Sequence, residues 1–212
     1  MYFKVQDMNK NKYLKDLQEI RLMMQKSSKF LSLSGLSGIF AGIYALIGAY
    51  IAHRLLSGRM VYIKSYTVDN VVLIQKLLLL ALSVAILAIF TAFILTRRKA
   101  KRNNQKVWDS TTKLFLIDFL IPLVTGGIFG LILLYHEHFG IIAAITLIFY
   151  GLALVNASKY TLTTIKYLGI SEIITGLFAT FFVGYGLYFW AFGFGVLHII
   201  YGGIMYLKEP KS

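Results

Sequence analysis

The stretch VVLIQKLLLLALSVAILAIFTAFIL, residues 71–95, carries a single charge, Lys76. A helix rises about 1.5 Å per residue and a bilayer's hydrocarbon core is about 30 Å thick, so about 20 apolar residues cross it. Residues 71–95 meet that length without a break, which makes lipid their natural solvent. Leu31 to Ala52, Leu114 to Leu134 and Phe139 to Asn156 have the same character. Ile170 to Leu207 holds no charge after Glu172 and is too long for one span. It suits two short spans, 170–188 and 192–207, with a tight turn near Tyr188 to Gly193. The pattern predicts an all-α integral membrane protein with six transmembrane helices over 30–207 and a short tail, 208–212.

Composition agrees with this pattern. The chain is 58% hydrophobic and 15% aromatic, with a mean hydropathy of +0.69, too apolar for an ordinary soluble domain. Its formal charge of +13 would suggest nucleic acid in a soluble protein. Here the basic residues cluster between apolar runs, so the charge is assigned to orientation and no nucleic-acid partner is expected. Lys and Arg number seven in residues 1–29, seven in 97–113, two in 157–169 and two after Leu207; only Arg54, Arg59, Lys64 and Lys76 fall on the other side. The positive-inside rule then places both termini in the cytoplasm, with a bacterial inner membrane as the expected location. There is no cysteine, which excludes disulfides, thiolate metal sites and cysteine nucleophiles. Residues 1–29 lack the apolar core and small-residue cleavage site of a signal peptide.

Within residues 1–29, Leu14, Leu17, Ile20 and Met24 recur at spacings of three and four between charged positions. This predicts an amphipathic cytoplasmic helix. Such a helix either lies on anionic lipid or docks a cytosolic protein, so lipid and a cytosolic protein are the expected partners of this segment. A homo-oligomer is a further candidate.

Pro122 falls inside the third apolar run and predicts a kink there. The carbonyl it frees one turn earlier needs a partner from a neighbouring group.

The odd-numbered spans share a short pattern of small residue, Gly, aliphatic, Phe, small residue. It occurs at Ser37-Gly38-Ile39-Phe40-Ala41, Gly126-Gly127-Ile128-Phe129-Gly130 and Thr175-Gly176-Leu177-Phe178-Ala179. Two origins are open, a true repeat of three hairpins and close helix packing through small residues. The layout of three Gly-rich hairpins resembles small six-span bacterial membrane proteins of the HdeD kind. That resemblance covers the membrane part, implies the architecture and carries no residue role.

Ionisable side chains in lipid are costly and ask for partners. Asp118, Asn156, Lys159 and Glu172 belong to the cytoplasmic end by this topology and form a candidate polar cluster, with Lys159 neutralising Asp118 or Glu172. The cluster either serves an ion or proton pathway or ties helices together. His198 lies inside the last span, about 10 Å from the turn if that turn is near Ala191. With Tyr201 it is a candidate ligand or proton site, and a hydroxyl on a neighbouring helix is its expected partner. His136 and His138 flank Glu137 in an outer loop, weak candidates for a metal. No P-loop, nucleophile elbow, zinc-protease or dinucleotide fingerprint occurs, and no cofactor is named by the residues.

These features predict a non-enzymatic multi-pass membrane protein of structural, sensing or accessory type. The alternatives are a channel or transporter using the polar cluster, and a cofactor- or apolar-ligand-binding protein centred on the last hairpin.

Overall fold

The computed structural model describes residues 34–57, 68–103 and 107–208, together with Leu17. The expected amphipathic helix over 1–29 and the tail beyond Lys208 lie outside the described residues. Among the described residues all regular structure is helical: α1 (Gly35–Leu56), α2 (Val68–Arg102), α3 (Ser110–Tyr135), α4 (Ile142–Ala157), α5 (Thr163–Phe181) and α6 (Gly186–Leu207). Turns of 3-10 helix, Phe139–Ile141 and Ser158–Tyr160, flank α4. Five of these helices are long and apolar enough to cross a membrane; α5, which carries Lys166 and Glu172, is not among them. The architecture is that of an α-helical membrane protein.

Local chemistry sets the helix ends. Asp109 caps α3, its side chain accepting a 2.7 Å hydrogen bond from the backbone N–H of Thr112, which satisfies one of the free donors of the first turn. At the other end of α3, His138 N–H donates to Leu133 O and Glu137 N–H to Leu134 O. This is the paired closure of a Schellman end. It puts Glu137 at φ 61°, a left-handed conformation that glycine adopts more cheaply.

The turn between the last two helices lies at 182–185, six residues earlier than the sequence predicts. Gly184 adopts φ +100° there, and Tyr185 N–H closes onto Phe182 O. The glycine at 193, which suggested a turn, sits inside α6. There the helix widens to π geometry over Ala191–Leu197. The last span therefore runs from Gly186, and His198 lies near its middle, about 18 Å from its start at 1.5 Å per residue.

The helices pack in an open arc of order α2, α1, α6, α5, α4, α3, with α2 and α3 at its ends. Two contacts are close because glycine permits it. A Cβ at Gly42 would sit 2.6 Å from Gly195 O, and one at Gly202 would sit 2.7 Å from Ile39 N, so α1 and α6 touch backbone to backbone. Likewise a Cβ at Gly151 would lie 2.5 Å from Gly169 O, which brings α4 onto α5. Leu154, Ile165, Leu168, Leu197 and Met205 form the apolar cluster between α4, α5 and α6. In the shared pattern of the odd helices, Ser37, Gly126 and Thr175 are buried while Phe40, Phe129 and Phe178 face outward. The following glycines differ: Gly38 meets Gly202, Gly176 meets α4, and Gly127 has open space around it.

Candidate functional site

The sequence groups four polar residues, and the structure divides them. Asp118 on α3 meets Lys159, whose Nζ donates to Oδ2 at 3.0 Å. Asn156 Nδ2 donates to the Asp118 backbone carbonyl at 2.8 Å. That carbonyl lies four residues before Pro122, which has no N–H to offer it. These three residues tie α3 to α4 and repair the proline's missing bond. Glu172 is elsewhere.

Glu172 lies halfway along α5 with its side chain fully buried, 0% exposed, and it faces His198 of α6, itself 6% exposed. His198 Nδ1 is 3.3 Å from Glu172 Oε1 and 3.1 Å from the Gly193 carbonyl oxygen. A carbonyl only accepts, so Nδ1 carries a hydrogen and donates it to Gly193 O. The carboxylate is then within ion-pair distance of the ring without receiving a directed hydrogen bond. Both Glu172 oxygens lack a hydrogen-bond partner among the described residues. On the other side of the ring, His198 Nε2 and Tyr150 Oη of α4 are 2.8 Å apart. Tyrosine donates to a neutral imidazole and accepts from an imidazolium, so this contact serves either charge state.

The backbone shapes this centre. The π-helical turn brings the Gly193 carbonyl to the His198 side chain five residues on. A side chain at 193 would collide with Glu172, whose Oε2 would be 2.5 Å from its Cβ. Single π turns are frequent at functional sites.

Aromatic rings close the Gly186 side of the centre. Phe194 lies 5.0 Å from Trp190, 5.0 Å from Tyr150 and 6.0 Å from His198, centroid to centroid. Toward Leu207, by contrast, hydroxyls follow. Tyr201 Oη and Ser171 Oγ are 3.0 Å apart, and Ser171 precedes Glu172 on α5.

His136 and His138 are exposed in the α3–α4 loop. Among the described residues no group of three metal-ligating side chains forms. The sequence places Glu172 at the cytoplasmic end because the fifth apolar run starts at Ile170; the helix starts at Thr163, which sets Glu172 at its middle and opposite His198. The proximity of a charged residue to a histidine at equal depth was the available signal.

The arrangement sets a fully buried carboxyl 3.3 Å from an imidazole, with a phenol able to meet the ring in either charge state. Compared with protein families, curated proteins and solved structures, the chain matches none.

Proposed function

We propose that this chain is a non-enzymatic, multi-pass protein of the bacterial cytoplasmic membrane, of sensing or accessory type, with both termini in the cytoplasm. Its working part is a proton shared by Glu172 and His198. The single observation that supports this is the fully buried Glu172 carboxyl facing His198 with neither oxygen hydrogen-bonded among the described residues. A charge at mid-membrane costs about 2.5–3.5 kcal/mol by insertion scales. Replacing a buried ion pair by apolar residues is often neutral or stabilising, so such a pair is weak as a stabilising device. A protonatable pair at this depth fits a role in which charge changes state. The three-hairpin repeat is part of this proposal, supported by the buried first residue and outward Phe common to α1, α3 and α5.

Trp190 provides the test, because its ring contacts Phe194, which packs on both Tyr150 and His198. With Trp108→Phe, Trp190 is the only tryptophan. Its emission in detergent should change with pH. Adding Glu172→Gln should abolish the change. Emission independent of pH in the parent protein would refute the proposal.

A further inference from the structure

We infer that the Glu172–His198 centre exchanges its proton with only one face of the membrane, the face at the Leu207 end of α6, through the Tyr201 and Ser171 hydroxyls. The inference rests on the proton-sharing reading above and adds the direction of access to it.

The two sides of the centre differ in chemistry. Toward Gly186 lie Phe194 and Trp190. Leu147, fully buried, stands against Gly193. None of these side chains carries a hydroxyl, and the buried Thr175, three residues on from Glu172 toward that side, donates its hydroxyl to the Ser171 carbonyl. Toward Leu207, Tyr201 follows His198 by three residues, so the two side chains are neighbours on one helix face, about 5–6 Å apart at Cβ. The Tyr201 hydroxyl meets Ser171 at 3.0 Å. Tyr201 also lines a groove of about 330 Å³ between α5 and α6, together with Thr163, Thr164, Tyr167, Ile204 and Lys208. This groove opens at the end where Lys208 is exposed. Gly35 at the start of α1 packs on Tyr206 at that same end.

The titratable groups facing the centre are few. Tyr150 comes from α4, Glu172 from α5, and His198 from α6. On the remaining side, α1 meets α6 through Gly35, Gly38 and Gly42. Asp118 and Lys159 are occupied with each other. A proton entering from the groove therefore has one set of hydroxyls to follow. It binds the Tyr201 oxygen as that hydroxyl passes its own proton to Ser171 Oγ. Ser171 then gives up a proton toward Glu172, with a bridging water completing the last hop, and the carboxylate becomes the neutral acid. Release runs the same steps backward, leaving both hydroxyls unchanged.

The test uses the full chain with Trp108→Phe in phosphatidylcholine vesicles, sorted for one orientation by an affinity tag at residue 1. The pH is stepped on one face at a time with an impermeant buffer while Trp190 emission is followed. A step on the Leu207 face should change the emission and a step on the opposite face should not. Tyr201→Phe should slow the response at least about tenfold with its final amplitude kept, since a positioned proton-transfer group contributes about 10²–10⁴-fold. Ser171→Ala reads the same link should Tyr201→Phe fail to fold. Equal responses from both faces, or unaltered rates in both variants, would overturn the inference while leaving the detergent titration of Trp190 intact. A flat titration in detergent would instead remove the proton-sharing reading itself.

Discussion

The side-chain amide of Asn156 donates a 2.8 Å hydrogen bond to the backbone carbonyl of Asp118, the one that Pro122 leaves without its helical donor. In water such a carbonyl would be solvated. Inside a bilayer it has to find a protein partner, and α4 supplies one. Asn156→Ala should therefore destabilise the protein by about 1–3 kcal/mol, the cost of an unpaired buried polar group. In a Pro122→Ala background residue 122 regains its N–H and can bond Asp118 O itself, so the same substitution should cost much less. Unfolding in detergent of the four proteins of this cycle measures the coupling. Equal costs in both backgrounds would contradict it.

The proline's need was legible in the sequence, since its missing N–H points to residue 118 by helical arithmetic. The donor was not, because Asn156 reaches it only through the register of α3 on α4. The apolar runs were legible for a similar reason: length and hydropathy are local quantities, and five of the helices are long and apolar enough to cross a membrane. The turn before α6 was misplaced because residues 173–207 carry no charge to mark an end. Glycines at 184, 186, 193 and 195 compete as turn signals there. Only Gly184 has a positive φ, and backbone angles are not written in composition. Starting the fifth span at Ile170, where the helix begins at Thr163, placed Glu172 at the cytoplasmic end and hid its match in depth with His198.

Gly193 and Gly203 lie on the same helix and predict opposite responses to alanine. A methyl at 193 meets Glu172 Oε2 and Leu147, whereas one at 203 meets nothing within 4 Å. Gly193→Ala should cost about 1–3 kcal/mol as overpacking and should blunt the pH response of Trp190. Gly203→Ala should be neutral or stabilise by up to about 1 kcal/mol through helix propensity. Thermal unfolding of both variants distinguishes them.

Glu137 holds φ 61° at the end of α3. A left-handed residue with a Cβ costs roughly 1–2 kcal/mol relative to its helical form, a penalty glycine escapes. Glu137→Gly should raise stability by up to about 1 kcal/mol after its greater entropy in the unfolded chain is offset. Glu137→Ala should give no such gain. A stabilising alanine would mean that charge at 137, and not its backbone angle, sets the effect.

Glu172 and His198 should be energetically coupled. Glu172→Gln removes the carboxyl beside the ring, His198→Gln removes the ring beside the carboxyl, and the double variant removes both halves of the pair. The double variant should be more stable than the sum of the single losses implies, by about 0.5–3 kcal/mol, as found for residues in direct contact. Additive losses would place the two side chains in separate environments.

The most direct measurement is the nitrogen NMR spectrum of the protein labelled with ¹⁵N-histidine, recorded in detergent over a series of pH values. The His198 signals are identified by their loss in His198→Gln. Proton sharing predicts a pH-dependent change in the ring-nitrogen signals of His198 and an altered change in Glu172→Gln. Signals that stay fixed over the whole range, or that titrate identically with and without the Glu172 carboxyl, would contradict it.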